Sequence, residues 1–167
     1  MNRFAHLTKR FFTSLRPRPI DEADRTFVEL HLTAAELSCW EKLEPADKAE
    51  SVAVAHEVAR ALGPDVDERW LAAALVHDVG KTDANLGPPG RAWATVVGAL
   101  ASHGRARLWS GPIGLYIAHD EHGAAQLRAA GARPEVAAWA EAHHRPERWA
   151  QTGIPRPVCE ALAAADG

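Results

Sequence analysis

The chain has 167 residues, of which 47% are hydrophobic and 25% are charged, and its formal net charge is −3. This composition is that of one soluble globular domain, and a chain of this length can bury a core without disulfides or a structural zinc ion. Cys39 and Cys159 form no CxxC pair, which excludes a disulfide scaffold and a thiolate zinc site. The sequence contains no run of about 18 apolar residues and no secretory signal pattern, so we expect a cytoplasmic protein. Histidine stands out, because nine histidines are many for a small domain.

Residues 1–19 form a basic segment that we separate from a domain at residues 20–167. Five of the 19 Lys and Arg residues and none of the 22 acidic residues lie in this segment, so the remaining body carries a net charge of about −8. Phe4, Phe11 and Phe12 recur at helical spacing, which predicts a short amphipathic helix. This helix either packs on the domain or makes a weak contact with a membrane or a partner protein. Nucleic acid is not expected as a partner, because the acidic body opposes it.

The body is predicted to be all-α, because its apolar residues recur at helical spacing and no alternating β-branched stretch occurs. Thr33 and Glu36 form a capping box, which marks the start of a helix. Gly63 followed by Pro64 is a typical helix end. In chain order, helices are predicted from residue 33 to before Pro45, over 46–62, from Asp67 towards Gly80, over 93–100, around 113–117, over 121–130, over 134–143 and over 157–166.

The first candidate site is the pair His77-Asp78, which lies where an apolar helix runs out. Adjacent side chains on a helical turn point about 100° apart, so both can reach one cation only if it lies beyond the end of that turn. An imidazole nitrogen with a carboxylate oxygen suits Zn, Mn, Fe or Co better than Ca or Mg. The dipeptide by itself is also compatible with a purely structural hydrogen bond in the core.

Further His and Asp residues follow the same pattern of positions at helix faces and ends. His56 is predicted on the buried side of the preceding helix, facing the helix of His77. Asp166 ends the last helix. Between them lie His119-Asp120-Glu121-His122 and the double histidine His143-His144. A first His, a His-Asp pair, two later His groups and a final Asp form an ordered series.

With this series, the sequence resembles the HD-domain superfamily of metal-dependent phosphohydrolases over roughly residues 46–167. Its signature is a His, then a His-Asp pair followed by a small residue, Gly and Lys, and then a distant Asp. The resemblance implies a helical bundle with a central metal site that holds one or two divalent transition ions, with Mn, Fe, Co, Ni and Zn as candidates. The ligands it implies for the first ion are His56, His77, Asp78 and Asp166.

The resemblance also implies a second ion. His119, in the pattern His-x-x-x-Gly, matches the additional His of members that hold two metals, and His143 or His144 matches the next ligand. Asp78 would then bridge the two ions. His122 is the weaker candidate of its cluster. A histidine at a water-exposed helix entry is the alternative interpretation for both His119 and His122.

The chemistry implied is hydrolysis of a phosphoester, since metal ions activate water and hold phosphoryl oxygens in line with it. Asp78 and Lys81 are the predicted catalytic residues. Lys81 follows Gly80 and is placed to meet a phosphate oxygen, although it could equally be a solvated lysine. Arg91 lies on the segment between the His-Asp pair and His119, which in this superfamily often borders the substrate, and we assign it with Lys81 to substrate binding.

The sequence shares features with two branches of the superfamily. The double histidine resembles the HD-GYP branch, which cleaves cyclic di-GMP, but Arg145 stands where that branch has Glu, and no Gly-Tyr-Pro motif follows. The sequence is also similar to small stand-alone HD hydrolases that act on nucleotides and other phosphoesters. We favour this broader class, with a small phosphoester or nucleotide as substrate. The alternatives are a cyclic-dinucleotide phosphodiesterase and a non-catalytic HD domain that senses a ligand or docks a partner.

Overall fold

The structure is a computed structural model that describes residues 19–84 and 111–167. Residues 1–18, the predicted helix over 93–100 and Arg91 lie outside the described residues. Within the described part, the all-α prediction is confirmed. None of the described helices is long and apolar enough to cross a membrane. In chain order the helices are α1 (Glu22–His31), α2 (Ala34–Trp40), α3 (Pro45–Leu62), α4 (Glu68–Val76), a 3-10 helix (Val79–Ala84), α5 (Pro112–Ile117), α6 (His119–Ala130), α7 (Pro134–Ala142), a second 3-10 helix (Pro146–Gln151) and α8 (Arg156–Asp166).

Local caps explain where several helices begin. The predicted capping box at α2 is present: the Glu36 amide donates to Thr33 Oγ1 at 3.3 Å, and the Thr33 amide donates to Glu36 Oε2 at 2.9 Å. Asp21 and Asp24 form a second capping box at α1, a helix that the sequence analysis did not predict. Proline occupies the first turn of α3, α5 and α7, where its missing N–H costs nothing.

Helix α4 is the central element of the bundle. Every residue from Trp70 to Val76 is buried, and α1, α2, α3, α7 and α8 all pack against it. A helix that is apolar on all sides is stable only when it is enclosed in this way. The end of α4 therefore lies deep in the bundle, and His77 follows there directly.

A buried ion pair joins helices that are distant in the sequence. Glu36 is completely buried, and Arg133 donates to it from Nε at 2.9 Å and from Nη2 at 2.7 Å. Arg133 Nη2 also donates to the carbonyl oxygen of His31 at 2.7 Å. The pair thus connects the start of α7 with α2 and the end of α1.

Removing one partner of this pair should strongly destabilise the protein at neutral pH. Replacing Arg133 by Ala leaves the Glu36 charge buried without its guanidinium partner, so we expect the free energy of unfolding to fall by about 3–5 kcal/mol. The matched control is Arg60→Ala, because Arg60 pairs with Glu57 on an exposed surface at 3.2 Å, where such pairs contribute about 0–1 kcal/mol. Urea unfolding of the three proteins measures both losses, and equal losses would contradict this ranking.

The same pair predicts a dependence on pH. Burial of Glu36 opposes its ionisation, but the hydrogen bonds from Arg133 and from the Thr33 amide outweigh burial and lower the pKa of Glu36 below its ordinary value of 4.5. A lowered folded-state pKa gives stability that is complete above the unfolded pKa and is lost as the pH falls below it. The difference in stability between wild type and Arg133→Ala should therefore shrink below about pH 4.5.

Candidate metal centre

Three histidines are oriented in the same way, each at a helix end. In each of them Nδ1 donates to the carbonyl oxygen three residues earlier, so that Nε2 is left to face the interior. The pairs are His77 with Ala74 at 2.9 Å, His119 with Tyr116 at 2.7 Å, and His143 with Ala140 at 2.8 Å. A backbone bond on one ring nitrogen fixes both the orientation of the ring and the tautomer, which is how metal-binding histidines are commonly held.

The Nε2 atoms of these histidines converge on Asp78. His119 Nε2 and His143 Nε2 lie 3.1 Å and 3.8 Å from Asp78 Oδ1. On the other side, His77 Nε2 lies 3.3 Å from Asp78 Oδ2 and 3.3 Å from Asp166 Oδ1. Asp78 therefore lies between two groups of ligand-type atoms and presents one carboxylate oxygen to each.

Four of these buried atoms lie only at ion-pair distance from one another and form no well-aligned hydrogen bond within the described residues: His77 Nε2, Asp78 Oδ1, His119 Nε2 and His143 Nε2. Unpaired buried polar atoms are costly, and several of them facing one point indicate a group that binds there. Two sets of three residues have ligand atoms within 4.8 Å of one another, namely His77, His143 and Asp166, and His119, His143 and His144. Nitrogen and oxygen donors in this arrangement fit a divalent transition ion.

The charges around Asp78 explain how its carboxylate stays ionised in the core. Burial opposes ionisation, but Lys81 and His77 outweigh it and hold the pKa of Asp78 well below its ordinary value. Lys81 forms an ion pair with Asp78 Oδ2, and although burial opposes the lysine charge, Asp78 raises the pKa of Lys81. Both groups are therefore charged at neutral pH.

The histidines of the centre differ in their protonation. Burial opposes a charge on His77, but Asp78 and Asp166 outweigh it and raise the pKa of His77 well above its ordinary value. Burial and the neighbouring His144 hold the pKa of His143 well below the ordinary value. Desolvation and His119 lower the pKa of His144 to about 4. His143 and His144 are thus neutral at pH 7, the form that a metal ligand requires.

The structure corrects the interpretation of His56. Its side chain is 45% exposed, and its Nε2 lies 3.5 Å from Asp24 Oδ1 on α1. The ring packs on Phe27, with 4.3 Å between the ring centroids. The fully buried stripe of α3 instead passes through Ser51, Ala55 and Val58, and His56 lies at its margin against α1. Neither His56 nor His122 belongs to the two ligand sets found in the described residues.

Helix α3 does contribute charge to the centre, through residues that the sequence analysis missed. The carboxylates of Asp47 and Glu50 also raise the pKa of Lys81. Asp47 is buried, and Glu50 is partly buried. No motif marked these two acids, because their relation to Lys81 depends on how α3 packs beside the end of α4.

Two glycines allow the halves of the centre to meet. A Cβ atom on Gly80 would lie 1.9 Å from the carbonyl oxygen of His119 and 2.5 Å from the amide nitrogen of Gly123. A Cβ atom on Gly123 would lie 2.8 Å from the amide nitrogen of Gly80. The first 3-10 helix and the start of α6 are therefore in backbone contact. The spacing His-x-x-x-Gly has a physical reason. Gly123 follows His119 by one helical turn, so the carbonyl of His119 and the amide of Gly123 both lie against Gly80.

Alanine at these glycines should separate the two halves. Because backbone atoms must move, we expect Gly123→Ala to cost about 1–3 kcal/mol and Gly80→Ala to cost more. Gly131→Ala is the matched control: it has a positive φ of 85° and no atom within 4 Å of the added Cβ, so its cost is only backbone strain of about 1–2 kcal/mol. Urea unfolding gives these values, and a Gly80→Ala variant as stable as Gly131→Ala would refute the contact.

The comparison with known families agrees with this geometry. The family model of the HD domain matches residues 49–166, and the chain therefore belongs to the HD domain family. Members of this family are generally metal-dependent phosphohydrolases. No curated protein and no solved structure matches the chain.

Proposed function

We propose that this protein is a metal-dependent phosphohydrolase that hydrolyses a phosphoester of a nucleotide or a related small molecule. The observation that carries the proposal is the convergence of unpartnered, buried Nε2 atoms on Asp78. A domain that only docked a partner would not require such a set, because buried polar atoms without partners destabilise the fold.

The two ligand sets divide the predicted residues between two ion positions. His77, Asp78 and Asp166 would hold the first ion, and His119 and His144 would hold the second, with His143 within reach of both positions. Asp78 would serve both, because its two oxygens face different sets. Mn, Fe, Co, Ni and Zn all suit these donors. Bound divalent ions supply Lewis-acid chemistry: they lower the pKa of water to about 7 and offset the charge of a phosphoryl group.

Lys81 would supply a second positive charge beside the reacting phosphate. Its ammonium group is held by Asp78 Oδ2, the carboxylate oxygen that also faces His77. The lysine keeps its proton at neutral pH, since its pKa is raised. A fixed cation of this kind stabilises negative charge that develops on phosphate oxygens and needs no reorganisation during the reaction.

Asp78→Asn tests the metal site and the activity together. The amide keeps the shape of the side chain but cannot offer an anionic oxygen to either ion. We expect it to lower metal affinity by more than the roughly 10–100-fold that follows the loss of a group hydrogen-bonded to a ligand. Elemental analysis measures retained metal. Turnover is measured on nucleoside mono-, di- and triphosphates and cyclic dinucleotides with Mn²⁺, Co²⁺ or Ni²⁺.

The matched control for this experiment is His56→Ala. His56 lies apart from both ligand sets, so its removal should leave metal content and turnover unchanged. Wild-type protein that retains no transition metal and hydrolyses none of these phosphoesters would refute the proposed function. If His56→Ala lost as much metal as Asp78→Asn, His56 would have to be a ligand. That result would refute the assignment of ligands to two ion positions that leaves His56 out.

Lys81→Gln separates the role of the lysine from that of the ligands. Lys81 has no lone pair to offer at neutral pH, so the variant should retain its metal. Its kcat should fall by about 10²–10³-fold, the usual effect of removing one preorganised donor from a developing oxyanion. Steady-state kinetics with parallel metal analysis makes the measurement. An unchanged kcat would indicate that Lys81 acts only as the counter-ion of Asp78.

A further inference from the structure

Arg145, the residue directly after the double histidine, reaches across to the start of α6. Its Nη2 donates to Asp120 Oδ2 at 2.8 Å and to Glu121 Oε1 at 2.8 Å. Asp120 follows His119 directly in the chain. The ion pair therefore joins the residue after His119 to the residue after His144, across 25 residues of sequence.

The Asp120 end of this ion pair is more deeply buried than the Arg145 end. The Asp120 side chain is completely buried, and the Arg145 side chain is only 17% exposed. Within the described residues, Arg145 Nε is buried and has no hydrogen-bond partner. An ion pair in such a place adds little net stability, because desolvation offsets much of the attraction between the charges. Its position between two ligand-bearing segments indicates another role.

Arg145 also closes the turn that carries the double histidine. Its amide donates to the carbonyl oxygen of Ala142 at 2.7 Å, and Trp149 Nε1 donates to the same oxygen at 3.1 Å. His143 and His144 lie within this turn. The backbone of Arg145 thus fixes the turn, and its side chain fixes the distance from the turn to α6.

The histidine rings on either side of this connection are close together. The ring centroid of His119 lies 5.6 Å from that of His143 and 5.3 Å from that of His144. By contrast, His77 and Asp166 lie at the ends of α4 and α8 and not on the segments that the ion pair joins. A change in the ion pair should therefore alter the set of His119, His143 and His144 most, and should reach the other set only through the shared His143.

From this geometry we infer that Arg145, through its ion pair with Asp120, is a positioning residue that sets the spacing of His119 from His143 and His144 and so tunes the second ion position more strongly than the first. The inference rests on the proposed function, because it concerns the affinity of that metal centre. Arg145 does not itself contact the ion or the substrate in this role.

The test is a calorimetric titration of the full chain with Co²⁺, with the visible absorption of bound cobalt recorded in parallel. The variants are Arg145→Gln, Asp120→Asn and the double variant, which removes both charges and leaves no buried ion. The matched control is Arg148→Gln, because Arg148 lies three residues further along and pairs with Glu141 of α7 at 3.1 Å. Thermal unfolding of each apo variant reports whether it folds.

For wild type we expect two equivalents of Co²⁺. In each single variant the second equivalent should bind about 10–100-fold more weakly, while the first, which shares only His143 with that set, should weaken clearly less. The double variant should lose no more than either single variant, because all three remove the same interaction. Because the double variant removes one positive and one negative charge together, it leaves no unpaired buried ion and can be titrated even if a single variant fails to fold. The Arg148→Gln control should match wild type.

Three results would overturn the inference: a wild type that binds one equivalent only, variants in which both equivalents weaken equally, and folded variants in which neither equivalent weakens. In each of these cases the chain still binds metal, so the proposed function stands. A wild type that binds no Co²⁺ at all would overturn the proposed function and the inference with it. The two failures are therefore distinguishable in one series of titrations.

Discussion

The contact between the backbones of Gly80 and Gly123 is the constraint on which the centre depends. It brings the turn after His77 and Asp78 against the first turn of α6, which carries His119. No side chain fits between these segments, since a Cβ atom on Gly80 would lie 1.9 Å from a carbonyl oxygen. The distance of 3.1 Å between His119 Nε2 and Asp78 Oδ1 follows from this approach. The centre therefore depends on glycine at positions 80 and 123, as well as on its ligands.

Features encoded by neighbouring residues could be predicted from the sequence, and those that depend on packing could not. The capping box at Thr33 and the buried run that leads to His77 were readable as local patterns, whereas the grouping of His119 with the double histidine rested on the resemblance to the HD superfamily. His56 was misplaced because apolar residues lie on several sides of α3, so periodicity alone could not decide which side faces α4. The pair of Asp120 with Arg145 leaves no local signal, because it forms only when α6 and α7 pack together.

The proposed function would bring an anionic substrate to an acidic body, and the charges of the centre bear on this conflict. Asp78 and Asp166 bring negative charge into the bundle, and Lys81 together with a protonated His77 offsets it. An ion that binds Nε2 of His77 must displace that proton, because a ligand nitrogen needs its lone pair. Protons and metal ions therefore compete for the same position. Bound ions would make the net charge that faces a phosphate positive. In the apo centre, by contrast, the charges of these four side chains are close to balanced.

The carbonyl bonds at Nδ1 of three histidines have a consequence for the evolution of this chain. Each imidazole is aimed by the last turn before it, so no separate side chain is needed to orient it. The coordination geometry of a bound ion would then depend directly on how the ends of α4, α5 and α7 are placed relative to one another. Substitutions in the hydrophobic core that shift a helix by a fraction of an ångström would alter metal selectivity without touching a ligand. If the centre catalyses the proposed reaction, selection would act on core packing as well as on the polar residues of the site.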